Sequence, residues 1–458
     1  MTSRTAIEAE TLRLRRLAED HLWMPYSPPG AQGAAFDPIR FVSRGRGCQL
    51  WDSDGNELLD GISALEAMIL GHGDEEVIAA IGAQARELAF HDVFRFAAPV
   101  QAELAAELAE VSPGMEYVHF TPGGAEADEV AIKLARQFHA LRGEPYRKKI
   151  ITRQGAFHGV TLGAMGLDGR YFASRNDVYD GGPSWFRTAP VSEAHPPSLG
   201  RAGRHLASVA SIEATIVAEG PETVAAVVVD PMATAIAVGA PPDQYQRDLR
   251  AVCDRHGVLL VCDEVITGMG RTGRLFASEY AGIEPDFLTM SKGLSSGYVP
   301  IGACLVAGHV ADVFKEHRAV FRHGHTYAGH PLGAAAARTV LARVLRDRLW
   351  ERAERLGERL MSGLRELGDS PLFWDVRGRG LLVGLEIVAD AETGADFPDP
   401  VAAGNELRVR CREHGLATLI LHPGNVLFLA PPLVVTEEQV DRMVGIVGTA
   451  LREMETRP

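Results

Sequence analysis

Apolar and polar residues recur with two different periods through the middle of the chain. Two short runs, Val224–Val229 and 258–262, are continuously apolar and rich in β-branched residues, which is typical of strands buried on both faces. Between them, apolar residues recur at helical spacing. We predict a helix over Asp243–His256 that has its first residue as N-cap and ends at Gly257. Because buried strands alternate with helices over 75–334, this region is predicted to be an α/β domain with a parallel sheet.

Weaker patterns predict further elements on both sides of this region. A helix is predicted over 7–22, and two long helical patterns near the C-terminus flank additional strands. The strands predicted outside the middle region are the apolar runs 39–42, 48–51, 381–387 and 426–429. We therefore expect an N-terminal segment, 1–74, that packs with a small α+β domain, 335–458, and a large domain between them, 75–334.

Composition and charge narrow the classes of function. The 458 residues are 46% hydrophobic and 23% charged, which excludes a coiled coil or a largely disordered chain. The net charge of −14 argues against nucleic acid or an anionic membrane as a partner. The five cysteines show no CxxC spacing, the N-terminus has no signal-peptide pattern, and no apolar stretch approaches the ~20 residues that span a bilayer. We expect a soluble, cytoplasmic protein with reduced thiols and no metal.

Two charged residues stand where predicted strands end. Asp263 follows the run 258–262, and Lys292 follows a second apolar run, 286–291, and precedes a turn rich in Gly and Ser. Ligands of open parallel sheets bind at the carboxyl ends of the strands. A lysine shielded from water has a lowered pKa and becomes a nucleophile toward carbonyl groups. Taken singly, either residue is better explained by a structural ion pair, but together in one sheet they indicate a site.

Two glycine-containing loops add a candidate phosphate site and a candidate stacking surface. Gly123 and Gly124 follow a strand-like run, 117–120, and open a helix, so that free N–H groups and the positive end of the helix dipole can bind a phosphate. The pattern fits neither GxGxxG nor the Walker motif, which disfavours NAD and ATP. Phe157 and His158 lie between glycines, where an aromatic ring can stack on a planar cofactor. A tight turn and core packing are the structural alternatives.

Together these features suit pyridoxal phosphate (PLP), whose ring nitrogen must stay protonated and therefore needs a buried carboxylate. The segment 261–273 (VCDEVITGMGRTG), followed by Pro285-Asp286 and by 291–294, closely resembles the signature of class III (omega-type) aminotransferases of PLP fold type I. The resemblance extends from about residue 25 to the C-terminus. It implies a large domain with a mostly parallel seven-stranded sheet, a small α+β domain, and an obligate homodimer whose N-terminal segments lie at the interface and whose subunits share their active sites.

The same resemblance implies roles for individual residues. Lys292 is implied to bind PLP as a Schiff base and to move the proton between the substrate carbon and the cofactor, while Asp263 pairs with the pyridine nitrogen. Val265 packs behind the ring, and Thr326 reaches the phosphate of the neighbouring subunit. The other cofactor contacts implied are Gly123, Gly124 and Ala125 in the phosphate loop and Phe157 and His158 beside the ring. The implied reaction is a ping-pong transfer of an amino group between an amine or amino acid and a carbonyl compound.

The substrate side departs from the family pattern at Glu66. At Ile266 the chain is similar to the amine:pyruvate branch of the family, since the ornithine and 4-aminobutyrate branch carries Gln there. At Glu66 it departs from the amine:pyruvate branch, which has Trp at that place. A carboxylate that replaces an aromatic ring in a substrate pocket would attract a second ammonium group. The alternative is that Glu66 is a capping or surface acid.

Recognition of a substrate carboxylate also departs from the pattern. Asp230 stands where relatives have Glu, and Leu421 and Phe428 stand at positions that often carry a carboxylate-binding arginine. Without a bidentate arginine the case for an amino-acid acceptor is weaker, and we hypothesise that His422 or Arg379 substitutes for it. The predicted substrate contacts are Glu66, Trp23, Asp230 and His422.

These departures favour a polycationic substrate: a diamine, a polyamine, or an amino sugar such as a 6'-oxo aminoglycoside, with an amino acid as co-substrate. Class III enzymes of aminoglycoside antibiotic biosynthesis resemble this pattern. The alternatives are an omega-amine or omega-amino acid:pyruvate aminotransferase and a PLP-dependent aminomutase or epimerase on the same scaffold. A non-catalytic protein is disfavoured because the lysine, the aspartate and the phosphate loop are all intact.

Overall fold

The computed structural model describes residues 4–33, 39–169, 184–190, 208–421 and 423–456. Within these ranges the chain forms one seven-stranded and two four-stranded sheets. In chain order the strands are β1 Val42–Arg46, β2 Gln49–Asp52, β3 Glu57–Asp60, β4 Met115–Thr121, β5 Lys149–Arg153, β6 Phe186–Ala189, β7 Val224–Val229, β8 Leu259–Asp263, β9 Phe287–Met290, β10 Gly302–Ala307, β11 Phe373–Gly378, β12 Val383–Ile387, β13 Leu416–Ala417, β14 Leu419–Leu421 and β15 Val426–Leu429.

Helices cover the sheets and connect their strands. In chain order they are α1 Arg4–His21, α2 Glu75–Glu87, α3 Pro99–Val111, α4 Gly124–Leu141, α5 Leu162–Met165, α6 Val209–Glu219, α7 Asp243–His256, α8 Gly308–Glu316, α9 Pro331–Arg346, α10 Leu349–Arg365, α11 Pro400–Glu413 and α12 Glu437–Glu455. The predicted range of α7 is confirmed, and Gly257 ends it in the left-handed conformation at φ 62°, which glycine adopts without steric cost.

The large sheet has the strand order β4-β10-β9-β8-β7-β5-β6. Four of its strand pairs are parallel: β9 with β8, β8 with β7, β7 with β5, and β5 with β6. Strand β10 runs antiparallel to both β4 and β9. The predicted seven-stranded, mostly parallel sheet is therefore confirmed. Its parallel strands place their carboxyl ends along one edge, where ligands of such sheets bind.

Successive residues of a central strand pack on opposite faces of this sheet. In β7, Ala226 and Val228 belong to the same apolar cluster as the stripe of α4, whereas Val227 and Val229 pack in a second cluster with α6 and α7. Both faces are thus covered by helices, which explains why the strand is apolar at every position.

Some predicted element bounds are wrong. The strand expected at 39–42 is β1, which runs from Val42 to Arg46. It lies later in the chain because Gly47, at φ 54°, reverses the chain so that β1 pairs with β2. Ile39 is a buried residue that precedes the strand. The N-cap of α7 is Pro242. Asp243 is the first helical residue, and its carboxylate accepts a hydrogen bond from Arg379 at 2.7 Å instead of capping the helix.

Two smaller sheets join distant parts of the chain. One has the order β1-β2-β3-β13 and the other β11-β12-β15-β14. Strand β13 pairs in parallel with β3, so the N-terminal segment shares a sheet with a strand near the C-terminus. The boundaries at residues 74 and 334 stay predictions.

Two further expectations concerned the thiols and membrane-spanning segments. All five cysteines are buried and unpaired, as expected for thiols that serve packing. No helix in the part of the chain that the structure describes combines the length and the apolar character needed to cross a membrane.

Candidate active site

The strand-end residues predicted from the sequence line one cavity of about 170 Å³. Asp263 is the last residue of β8, and Lys292 follows β9 by two positions, so the parallel pairing of these strands places both residues at the same edge of the sheet. The residues that line the cavity are Gly124, Ala125, Phe157, His158, Gly159, Asp230, Met232, Thr234, Asp263, Val265, Ile266, Thr267, Ser291 and Lys292.

Asp263 is held by hydrogen bonds to both carboxylate oxygens. Its Oδ1 accepts from the backbone N–H of Val265 at 2.9 Å, and its Oδ2 lies 2.7 Å from Nδ1 of His158. The Asp263 residue is only 5% exposed, and the His158 side chain is fully buried. In this low-polarity surrounding a fixed carboxylate pairs strongly with any cation placed against it.

Lys292, which lines the cavity, forms an ion pair with Glu66, which is not among the lining residues. Nζ of Lys292 donates to Oε2 of Glu66 at 2.7 Å, and the two side chains are 26% and 7% exposed, respectively. The alternative that Glu66 is a surface acid is therefore wrong. Behind it lies the guanidinium of Arg271, whose pKa burial lowers to about 10 although Glu66 and Asp60 act in the opposite direction.

Glu66 reaches Lys292 from an unusual backbone turn. The four residues Ser63–Glu66 all have positive φ, at 48°, 46°, 66° and 61°, a conformation that costs about 1–2 kcal/mol per non-glycine residue. Hydrogen bonds oppose this strain: Oγ of Ser63 donates to the carbonyl of Ala430 at 2.6 Å, and a carboxylate oxygen of Asp60 accepts the N–H of Ile62 at 3.1 Å. The turn is thus held by residues from both ends of the chain.

The glycine turn opens α4 against the cavity. Gly124 is the first residue of this 18-residue helix, so its N-terminal N–H groups and dipole are available to an anion. A Cβ at Gly124 would lie 2.9 Å from Cγ2 of Val265, and a Cβ at Gly159, where φ is +131°, would lie 2.4 Å from Cβ of Ala125. These glycines therefore permit a close approach of three loops, which a larger side chain would block.

Asp230, at the end of β7, also lines the cavity and is paired from behind. Nη2 of Arg153 donates to both the carbonyl and the carboxylate of Asp230, the former at 2.7 Å. Burial lowers the pKa of Arg153, but the charges and hydrogen bonds of Asp230 and Tyr245 outweigh it and leave that pKa raised. Asp230 is consequently committed to Arg153 and presents only part of its carboxylate to the cavity.

Several predicted contacts do not line this cavity within one chain. Trp23 is 72% exposed and donates to the carbonyl of Ser27, and Thr326 is also exposed. The hypothesis that Arg379 binds a substrate carboxylate is not supported, since Arg379 pairs with Asp243 outside the cavity. His422 lies outside the described residues.

The positions that often carry an arginine are part of an apolar wall. Phe428 packs in a buried cluster with Met232, and Ile266 and Leu421 pack against that cluster. Since Met232 and Ile266 also line the cavity, one side of it is apolar.

Sequence reasoning missed a buried acid in the first turns of α4. Asp128 is 1% exposed, and its Oδ1 accepts from Oγ1 of Thr289 at 2.8 Å. Burial, followed by the charge of Asp263, raises its pKa well above the ordinary value. An acid between the apolar positions Ala127 and Val130 was the available signal, but acids are common in first turns of helices because they suit the dipole.

This fold and this cavity define a class of enzyme, and the chain belongs to it: residues 32–451 match the class-III aminotransferase family. The expectation of a PLP-dependent transaminase is confirmed. The chain is 32% identical to a putrescine–pyruvate aminotransferase of Pseudomonas aeruginosa over 456 aligned residues. The alignment covers 97% of this chain and 96% of that relative. It is 32% identical over 430 residues to a diaminobutyrate–2-oxoglutarate transaminase of Halomonas elongata, with 91% of each chain covered.

Solved structures agree with this assignment. A transaminase from the marine bacterium Virgibacillus superposes with a TM-score of 0.89 at 31% identity, over 97% of this chain and 99% of that one. An omega transaminase from Pseudomonas jessenii, solved in complex with PMP, superposes with a TM-score of 0.87 at 30% identity, over 96% of this chain and 98% of the other.

The residues of the cavity fit PLP. Its phosphate suits the N-terminus of α4, because Gly124, the first residue of that helix, lines the cavity and the helix offers unpaired N–H groups and the positive end of its dipole there. Its ring nitrogen suits the oriented carboxylate of Asp263. Nε2 of His158 is buried without a hydrogen-bond partner in the described residues, which leaves it free to bond to a group in the cavity.

Proposed function

We propose that this aminotransferase acts on an amine that carries a second cationic group, and that Glu66 recognises that group. The observation that carries the proposal is the 2.7 Å contact between Oε2 of Glu66 and Nζ of Lys292. A carboxylate is thereby fixed beside the nitrogen that is proposed to bind the cofactor and to move the proton of the substrate carbon. It is almost buried, so its pairing with a cation is worth more than that of a surface acid.

PLP, when bound, supplies the electron sink that makes the substrate Cα–H acidic. Lys292 anchors the cofactor covalently, and its Nζ takes the proton from the substrate carbon and returns it. Asp263 keeps a proton on the ring nitrogen, and His158 keeps Asp263 oriented. Gly123, Gly124 and Ala125 hold the phosphate, Phe157 and Val265 enclose the ring, and Thr326 reaches the neighbouring subunit's cofactor in a homodimer with shared sites.

Glu66 has two partners in this scheme. While Nζ of Lys292 is an ammonium, Glu66 orients it by the hydrogen bond described above. With PLP attached to Nζ of Lys292, that nitrogen would no longer offer an ammonium, and the Glu66 carboxylate would be available to the second ammonium of an incoming substrate. The guanidinium of Arg271 stays behind Glu66 in both situations, because it donates to Ser63 Oγ at 3.0 Å.

The relatives support a substrate of this kind. Two of them are named for putrescine and for diaminobutyrate, each of which has two amino groups. We therefore propose a diamine, polyamine or amino-sugar substrate with an amino acid or its keto acid as co-substrate; a 6'-oxo aminoglycoside and a role in antibiotic biosynthesis are the narrower form of the proposal.

The apolar wall favours a second candidate, an omega-amine:pyruvate aminotransferase. Met232 and Ile266 give one side of the cavity no polar partner for a charged substrate chain. An alkylamine or arylalkylamine without a second charge would pack there by apolar burial alone.

A half-reaction screen separates the two candidates. The PLP form is mixed with pairs of equal chain length, putrescine with butylamine and an aminoglycoside with its singly aminated analogue, and conversion to the pyridoxamine form is followed by absorbance. Faster conversion by the doubly charged member supports the first proposal, and equal rates support the second. Release of one carbonyl product per amino group transferred, an aldehyde from a primary amine or a keto acid from an amino-acid donor, excludes an aminomutase or epimerase.

A further inference from the structure

A third ionisable side chain lies directly behind the Asp263–His158 pair. Atoms of Asp128, His158 and Asp263 that can serve as ligands or hydrogen-bond partners all lie within 4.8 Å of one another, and all three residues are at most 5% exposed. Thr289, which extends from β9 toward α4, donates to Oδ1 of Asp128. Oδ2 of Asp128 has no donor among the described residues.

Two buried carboxyl groups at this separation do not both ionise. Their repulsion adds to the cost of removing each charge from water, so the pair retains one proton. Both oxygens of Asp263 already have hydrogen-bond partners within the protein, the N–H of Val265 and Nδ1 of His158. Asp128 has one donor, Thr289, and is the more deeply buried of the two.

The other acidic groups near Asp128 act in the same direction. Besides Asp263 and His158, the ionisable side chains that interact with it are Asp230, at the end of β7, and the thiol of Cys304 on β10. The charge of Asp230 raises the pKa of Asp128 further, after burial and the charge of Asp263. The hydrogen bond from Thr289 acts the other way and lowers the pKa of Asp128, but burial and the neighbouring acids outweigh it, and that pKa stays well above its ordinary value.

We propose that Asp128 is a positioning residue that stays protonated and donates a hydrogen bond from Oδ2 to Asp263. The proton lets Asp263 keep its single negative charge while it faces the ring nitrogen of the cofactor. A neutral donor behind the carboxylate also reduces its basicity, so that the shared proton remains on the ring nitrogen instead of moving to Asp263. The proposal rests on the role proposed above for Asp263.

The test uses Asp128→Asn and Asp128→Ala in the full-length protein. Asn is neutral, can donate to Asp263 through its amide nitrogen and can still accept from Thr289, so it reproduces the proposed state. We expect Asp128→Asn to keep the dissociation constant for PLP within about threefold and to leave the pH dependence of the bound cofactor's absorption unchanged. Asp128→Ala removes the donor and is expected to weaken PLP binding roughly tenfold and to shift that pH dependence.

An infrared spectrum provides a readout that does not depend on activity. The wild-type protein should show the C=O stretch of a protonated carboxylic acid at neutral pH, with and without PLP, and Asp128→Asn should lack it. Absence of this band, or a shifted pH dependence in Asp128→Asn, would overturn the proposal, because either result means that Asp128 is ionised. Asp263→Asn serves as the control for the proposed function: unchanged PLP binding in that variant contradicts the role of Asp263, whatever the band shows.

If Asp128→Ala does not fold, Thr289→Val keeps the test decisive. This variant removes the donor to Oδ1 but leaves Oδ2 and Asp263 intact. A protonated Asp128 predicts that the acid band persists in Thr289→Val and moves in frequency. A band that is unaltered in both Thr289→Val and Asp128→Asn arises elsewhere and contradicts the proposal.

Discussion

Replacing Glu66 by Gln tests whether the acid beside Lys292 selects a doubly charged amine. The substitution keeps the shape of the side chain and removes only the charge. Because the Glu66 side chain is 7% exposed, the loss is that of a hydrogen bond to a charged group, about 1.5–3 kcal/mol, and not the ~0–1 kcal/mol of a surface pair. At about 1.4 kcal/mol per tenfold change, we expect the preference for putrescine over butylamine to fall roughly 10- to 100-fold.

The assay is the single-turnover half-reaction of the purified PLP form, with the ratio of second-order rate constants for the two amines as the readout. The ratio cancels changes in Lys292 reactivity that affect both amines equally. Glu57→Gln is the matched control, since Glu57 lies on β3, the strand that precedes the turn, is bonded to Gln49 and is 40% exposed; it should leave the ratio unaltered. An unaltered ratio in Glu66→Gln would refute the reasoning, because the carboxylate would then have no part in recognising the second ammonium.

Three further predictions concern the lysine, a glycine and the thiols. Lys292→Ala should abolish turnover but still bind PLP non-covalently; a covalent adduct detected by mass spectrometry after borohydride reduction would contradict the assignment. Gly159→Ala should weaken PLP binding and lower the thermal midpoint, because its Cβ would lie 2.4 Å from Ala125 Cβ; Gly143→Ala, with φ +84° but nothing within 4 Å of the added Cβ, separates backbone strain from the clash. Native protein should react slowly with a thiol reagent at pH 8, and all five cysteines should react after denaturation; a fast thiol in the native protein would contradict the burial described. The physical reason is burial, which raises the pKa of Cys48, Cys253 and Cys411 to about 12, so that these thiols form little reactive thiolate at pH 8.

The sequence was sufficient to locate the cofactor side of the site. Val224–Val229 and Asp243–His256 were predicted at their observed bounds, because a fully buried strand and an amphipathic helix each leave a clear hydrophobic period. Asp263 and Lys292 followed from these elements, since parallel strands end at one edge of the sheet. The direction of β10 did not follow, because burial on both faces produces the same apolar run in an antiparallel strand as in a parallel one.

The substrate side could not be predicted because it depends on backbone geometry without a sequence signal. The turn Ser63–Glu66 has positive φ at four residues and contains no glycine, so the usual marker of a left-handed conformation is missing. Whether Glu66 faced water or Lys292 depended on that turn. Asp128 was missed for a different reason: its neighbours in space come from β8 and β9, which lie more than a hundred residues away in the chain.

The hydrogen bonds of the Ser63–Glu66 turn also bear on the order in which a nascent chain acquires its activity. Asp263, Lys292 and α4 are all synthesised before residue 300, but the turn is bonded to Ala430 through Ser63 Oγ, and Gly61 exchanges backbone hydrogen bonds with Ala417 and Ala430. A chain that has not yet reached residue 430 therefore contains the elements that hold PLP but lacks the C-terminal partners of the turn that carries Glu66. We expect the ability to select an amine to mature last, when the two ends of the polypeptide meet.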